Sequence, residues 1–222
     1  MKNNCSTVLI ISGGYINNDF LRSELIKFDD KFDEGTCFII GVDKGINALF
    51  DINNNPDLLV GDFDSVDKDK LSLFKDKTKQ IKLNPDKDYT DTHVAVMEAI
   101  KMHPQRIVIY GATGNRMDHC LGNISVLKLC RDNDIDAYIV DEHNRIRIIN
   151  HEAKVYKNEY KYISFISYSD ETTGINLSGF KYNLCDAKLI KDETRGISNE
   201  IALDYGEVSI KSGCLICIES RD

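Results

Sequence analysis

The chain has 222 residues, enough for one large domain or two small ones with real cores. Its 28 basic and 36 acidic residues leave a net charge of −8, which argues against binding a nucleic-acid backbone, because that requires a basic footprint. With 42% hydrophobic and 29% charged residues the composition is globular, and no apolar run approaches the roughly 20 residues that cross a bilayer.

At the start, Asn3, Asn4, Ser6 and Thr7 interrupt any secretory signal, and Gly13-Gly14 closes the first apolar run. Short β-branched runs follow one another at Thr7–Ile11, Cys37–Val42, Leu58–Val60, Ile107–Tyr110 and Ala137–Val140. Each is short and apolar on both faces, as expected of strands covered by helices on both sides. Helical spacing connects Val94, Met97 and Ile100, and again Met117, Leu121, Ile124 and Leu127. The alternation predicts an α/β domain over residues 1–140 with a mostly parallel, Rossmann-like sheet flanked by helices. From 141 to 222 the texture changes. Tyr160–Tyr168, Gly174–Tyr182 and Glu207–Glu219 show period-two patterning between glycines, which predicts a small all-β sandwich. The seven cysteines are scattered and odd in number, so they read as reduced thiols of a cytoplasmic protein. Cys214-x-x-Cys217 lies in an apolar run, has no second pair to complete a zinc site, and reads as part of a buried strand.

Chemistry concentrates in three places. Gly61-Asp62-Phe63-Asp64-Ser65 follows a strand, at the edge where open α/β sheets place ligands. On extended chain the two carboxylates would point the same way, about 6–7 Å apart, and a hard cation such as Mg²⁺ would relieve their repulsion. A polar turn in which Asp64 caps the next helix is the plainer reading. Asn84–Thr92 holds Asp86, Asp88 and Asp91, more carboxylates than a helix start needs, with Thr90 or Asp88 as the cap. Asp91 could complete a metal shell begun by Asp62 and Asp64. In Gly111-Ala-Thr-Gly114-Asn-Arg116-Met-Asp118-His119, a strand, a glycine turn and a helix start would turn backbone N–H groups toward a phosphate, and Arg116 would add a guanidinium. Asp118 would repel an anion there, so it meets a metal, a ribose hydroxyl or Arg116. None of the five histidines has ligand spacing, and each reads as surface or structural. Asp-rich surroundings and a phosphate turn are compatible when a divalent cation bridges them, which points to Mg-dependent phosphoryl-type transfer.

The ordered set of motifs resembles the thiamine pyrophosphokinase (thiamine diphosphokinase) family. Asp43-Lys-Gly-Ile-Asn47, Gly61-Asp-Phe-Asp-Ser65, Asp88-Tyr-Thr-Asp91, Gly111–Asn123, Gly179-Phe-Lys-Tyr-Asn-Leu184 and Arg195-Gly-Ile-Ser-Asn199 carry the resemblance along nearly the whole chain. It implies transfer of the pyrophosphoryl group of ATP to the hydroxyl of thiamine, giving AMP and thiamine diphosphate. It also implies a catalytic α/β domain, a thiamine-binding β-sandwich and a homodimer with thiamine near the subunit interface. By position, Asp62, Asp64 and Asp91 would carry Mg²⁺ and the catalytic load. Asp43, Lys87, Thr113, Arg116 and Asp118 would surround the nucleotide and its phosphates, and Ser198 and Asn199 would meet thiamine. Lys44 and Ile46 depart from the Gly and Ala of the family's run, and Lys87 stands where some members have a neutral residue. The chain has no Trp, so an aromatic partner for thiamine's rings falls to Tyr or Phe. Two other readings share some of these residues. Leu58–Ser65 is similar to the start of haloacid-dehalogenase-like phosphatases, in which Asp62 would be phosphorylated, but no later acidic partner motif follows. The second is a nucleotide or thiamine sensor on a retired catalytic fold.

Overall fold

The computed structural model describes residues 5–31, 36–75, 77–84, 86 and 88–222. The chain forms two compact units, Met1–Glu142 and His143–Asp222.

The first unit alternates strands and helices: β1 (Cys5–Ile11), α1 (Asn18–Lys31), β2 (Thr36–Val42), α2 (Gly45–Asp51), β3 (Leu58–Gly61), α3 (Lys68–Lys75), β4 (Lys79–Lys82), α4 (Asp91–Ile100), β5 (Arg106–Tyr110), α5 (Met117–Asp132) and β6 (Asp136–Val140). The strands lie in the order β4-β3-β2-β1-β5-β6, and every pairing is parallel. A parallel pair needs a crossover, so helices cover both faces, and Val8, Leu9, Ile10 and Ile11 are all at most 1% exposed. Leu9 and Ile11 of β1 with Val108 and Tyr110 of β5 pack against Leu21 and Leu25 of α1 and Leu49 of α2.

Two details differ from the sequence reading. Strand β4, Lys-Gln-Ile-Lys, was not anticipated, because it is a half-exposed edge strand and its charges hide its period. The helices also bury other faces than the apolar spacing suggested. Helix α4 turns Thr92, Ala95, Val96 and Ala99 inward, and α5 turns Asn123, Val126, Leu127 and Cys130 inward. Met97, Met117 and Leu121 stand exposed instead. On α4 the small Ala95 and Ala99 let the helix approach the sheet closely.

The second unit is antiparallel throughout: β7 (Asn144–Ile149), β8 (Glu152–Tyr156), β9 (Tyr162–Ser167), β10 (Glu171–Ser178), β11 (Leu184–Ile190), β12 (Tyr205–Ser209) and β13 (Leu215–Ser220). Strands β7-β13-β9 form one layer and β11-β10-β12-β8 the other. Their inner faces share a core that includes Ile163, Phe165, Ile175, Leu177, Val208 and Leu215. Phe165 and Phe180 meet edge to face at 5.5 Å. A charge is buried here too. Glu219 on β13 is fully enclosed, lies opposite Arg145 on β7, accepts from both Nε (2.9 Å) and Nη2 of that arginine, and accepts from Asn158 Nδ2 at 2.8 Å. All seven cysteines are free thiols. Cys217 is enclosed, and burial pushes its thiol up to about 12, so at neutral pH it is protonated packing rather than a reactive thiolate.

Candidate active site

The strand order reverses direction between β1 and β5, since the chain steps outward from β1 through β4 and returns to the other side of β1 as β5. At such a switch point two successive loops diverge and leave a crevice at the carboxyl ends of the strands. A cavity of about 540 Å³ occupies it. Its walls are residues 12–15 after β1, 42–44 after β2, 111–116 after β5, Thr90–Thr92 at the start of α4, and Ser65, His119 and Asn123.

Buried polar contacts fix these walls. Ser12 Oγ and Thr92 Oγ1 are 2.6 Å apart and tie the β1 loop to α4. Asn123 Nδ2 donates to Ala112 O at 2.7 Å and ties α5 to the glycine turn. Gly14 N donates to Gly111 O at 2.9 Å and joins the β1 and β5 loops directly. That approach requires glycine. A Cβ on Gly14 would lie 2.4 Å from Gly111 O and 2.8 Å from Thr113 O, both backbone atoms. Gly14→Ala is therefore expected to part the two loops and lower kcat/KM about 10²-fold, the cost of misplacing a binding wall by about 1 Å. Steady-state kinetics alongside an unchanged far-ultraviolet circular dichroism spectrum would show it; unimpaired kinetics would mean the loop contact is dispensable.

The anticipated site residues fall into groups. Asp43, Asp91, Thr113 and Arg116 all line the cavity. Asp43 adopts a left-handed backbone (φ 45°), and its carboxylate packs where Gly61 has no side chain, since a Cβ there would lie 2.1 Å from Oδ1. Of the two caps considered for α4, Thr90 is the one used: its Oγ1 accepts from His93 N at 3.2 Å. This leaves Asp91 in the first turn, facing the cavity. Thr113 Oγ1 donates to Asp141 Oδ2 at 2.6 Å. A carboxylate only accepts, so the Thr113 hydroxyl proton is committed to Asp141. Asp118 pairs with Arg116, with Nε to Oδ1 at 3.2 Å and Nη2 to Oδ2 at 2.5 Å. Each shifts the other: hydrogen bonding holds the Asp118 carboxyl below, and the Arg116 guanidinium above, its usual range.

Asp62 and Asp64 lie on a polar turn, as the plainer reading has it, although Asp67 and not Asp64 accepts from the backbone at the start of α3. Strand β3 ends at Gly61, Phe63 is left-handed (φ 65°), and Asp62 Oδ1 accepts from Asp64 N at 3.0 Å. The pair thus sits on a tight turn, not on extended chain, and neither residue is in the cavity wall, although Ser65 is. Lys87 lies outside the described residues. Ser198 and Asn199 lie in the second unit. Ser198 is exposed and left-handed (φ 57°), with its backbone N bonded to Ser164 Oγ. Asn199 is buried as a loop staple. Its amide donates to Tyr182 O at 2.7 Å and accepts from Tyr182 N and Glu200 N.

Sequence reasoning missed Ser12, Gly13, Gly14, Tyr15, His119 and Asn123. The double glycine after the first strand was a signal for the first four, and the Gly111–Asn123 motif spans His119 and Asn123 without marking them individually.

The candidate metal ligands are all carboxylate oxygens, hard donors suited to Mg²⁺. Among the described residues no three His, Cys, Asp or Glu side chains stand close enough to hold an ion unaided. Mg²⁺ is usually held by one or two carboxylates together with substrate phosphates, so the donor set fits an ion that arrives with phosphates and not a protein-only cage.

Two family models match the chain: the catalytic domain of thiamin pyrophosphokinase over residues 30–139, and its vitamin B1 binding domain over residues 148–215. The chain is 35% identical over 219 residues to thiamine pyrophosphokinase of Bacillus subtilis (strain 168), spanning 97% of this chain and 99% of that one. The chain belongs to the thiamin pyrophosphokinase family. Solved structures of family members share its fold. The Bacillus subtilis enzyme superposes with a TM-score of 0.86 at 32% identity, covering 97% of this chain and 99% of that chain. The thiamin pyrophosphokinase of Geobacillus thermodenitrificans gives 0.82 at 28% identity, covering 97% and 98%. Family membership sets aside the haloacid-dehalogenase-like reading of Asp62, since both family domains occur in order on one chain.

Proposed function

We propose that this protein transfers the pyrophosphoryl group of ATP to the hydroxyl of thiamine, giving thiamine diphosphate and AMP. The observation that carries the reading is the match to both family domains along one chain. The cavity supports it, with a glycine turn and a guanidinium suited to phosphates beside a carboxylate suited to their cation.

In this reaction the thiamine hydroxyl oxygen attacks the β-phosphorus and its proton passes to water. The bond from that phosphorus to the oxygen bridging the α-phosphate breaks, and AMP departs with that oxygen. Backbone N–H groups of residues 111–114 and the Arg116 guanidinium would bind the phosphates, and the clamped loops would hold them in line. Asp91, in the cavity wall, would hold Mg²⁺ together with the phosphates, and the resemblance adds Asp62 and Asp64 from the turn after β3; the ion when bound would neutralise charge on the phosphates. Asp43 and Lys87 would border the nucleotide. The first unit would thus be the catalytic one and the second the thiamine-binding one. There, Ser198 has an exposed hydroxyl to offer, whereas Asn199 has only its remaining amide hydrogen. We further place the enzyme in the cytoplasm as a homodimer. Seven free thiols support the compartment, and none of the described helices is long and apolar enough to cross a membrane.

The test is a Mg²⁺-dependent assay of the purified protein with ATP and thiamine, separating AMP from ADP and thiamine diphosphate from the monophosphate. AMP and thiamine diphosphate in equal amounts are expected. ADP or inorganic phosphate in place of AMP would overturn the reading in favour of a simple kinase or a phosphatase. Tight thiamine binding without turnover would leave a sensor.

A further inference from the structure

One cavity residue is built differently from its neighbours. Tyr15 lines the cavity, yet it is 73% exposed, and among the described residues no hydrogen bond or ring contact holds its side chain. Its backbone is fixed. On one side Gly14 is bonded to Gly111. On the other, Ile16 packs into the core beneath β1 and β5, where its side chain would crowd a Cβ on Gly111 at 2.7 Å. Tyr15 is thus a free aromatic face carried on a clamped loop. Large apolar surface left in water is unfavourable, so such a face next to a binding cavity is a platform awaiting a flat partner.

Of the two substrates under the proposed function, the nucleotide has its phosphates at the turn of residues 111–116. Tyr15 stands against that turn: a Cβ on Gly114 would come within 3.9 Å of Tyr15 N. The base of the nucleotide is tethered to its phosphates through one ribose, so it must settle on a wall close to the turn. The other wall residues are Gly, Ser, Thr, Asp, Lys, Asn, Arg and His with Val42 and Ala112, and among the described residues Tyr15 is the one Phe, Tyr or Trp in the lining.

We infer that Tyr15 is the stacking platform for the purine base of the nucleotide and so sets the enzyme's preference for a base-bearing phosphate donor. The inference rests on the proposed function. Stacking on an aromatic face needs the ring and not its hydroxyl, so Tyr15→Phe preserves it and Tyr15→Ala removes it.

The experiment compares wild type, Y15F and Y15A by calorimetric titration with Mg·ADP, Mg·tripolyphosphate and thiamine, with turnover of the wild type measured in parallel. For Y15A, affinity for Mg·ADP should fall about tenfold, as loss of one base stack predicts. Affinity for Mg·tripolyphosphate, which has no base, should change less than twofold, and Y15F should match wild type throughout. Equal loss for both phosphate ligands would overturn the inference, because the ring would then be supporting the phosphate turn. A loss confined to thiamine would overturn it in favour of the other substrate's rings. Unchanged Mg·ADP affinity in Y15A, beside a wild type that turns over, would overturn the inference alone. A wild type that neither binds Mg·ADP nor forms AMP would overturn the proposed function along with it.

Discussion

Asp91→Asn is expected to fold normally and to lose about 10²- to 10³-fold in kcat, the scale seen when one preorganised charge contact to a transition state is removed. The substitution keeps the side chain's size and removes only its charge. Asp91 sits in the first turn of α4, where a negative charge is favoured by the helix dipole, and losing that contribution costs only about 0.3–1 kcal/mol. The helix keeps its Thr90 cap. Catalysis should therefore collapse while the denaturation midpoint barely moves, and that separation distinguishes a phosphate-handling carboxylate from a structural one. Asp62→Asn belongs in the same experiment, because an Asn oxygen can still accept from Asp64 N and spare the turn. Turnover of Asp91→Asn within tenfold of wild type would remove Asp91 from the phosphate and metal role.

The largest expected effect on stability lies in the other unit. Glu219→Ala deletes one side of a buried ion pair and leaves Arg145 and Asn158 without their shared acceptor. Breaking such a pair from one side typically costs 3–5 kcal/mol. Arg145 keeps a third of its side chain in solvent, so about 3 kcal/mol, the low end, is expected here. Urea unfolding should show a lowered midpoint with an unchanged slope. Replacing both partners, as in Arg145→Met with Glu219→Leu, should recover most of the loss, since a well-packed apolar pair avoids the desolvation cost. A loss below about 1 kcal/mol for Glu219→Ala would mean that β7 and β13 are held by their backbone ladder and core contacts alone.

The parts of the fold legible in the sequence are those where one physical requirement acts alone. Central parallel strands must be apolar on both faces, and Val8–Ile11 and Ile107–Tyr110 satisfy that without ambiguity. Strand β4 must also stay soluble at a sheet edge, and its lysines mask it. Apolar spacing located α4 and α5 but did not single out their buried faces, which take Ala95, Ala99 and Asn123 together with Leu127 and leave Met97, Met117 and Leu121 exposed. The site shows the same division. The glycine turn and the acidic runs are local patterns and could be read. The turn at Asp62–Asp64 depends on a left-handed Phe63, a conformation rare in a non-glycine residue and carrying no sequence mark. The partnership of Thr113 with Asp141 spans 28 positions and exists only once the sheet has formed. Tyr15 belongs to no repeat or spacing rule; its significance lies in being unpacked.

The pairing of Arg116 with Asp118 also bears on how the pocket admits anions. The carboxylate is two residues away, and the pair is exposed, with 71% and 64% of the two side chains in solvent, so exchanging it for another anion costs little. A chain of phosphates that also engages the backbone of the glycine turn can outcompete the resident carboxylate. The carboxylate thus holds the guanidinium beside the glycine turn through an exposed ion pair, a contact that solvent keeps weak.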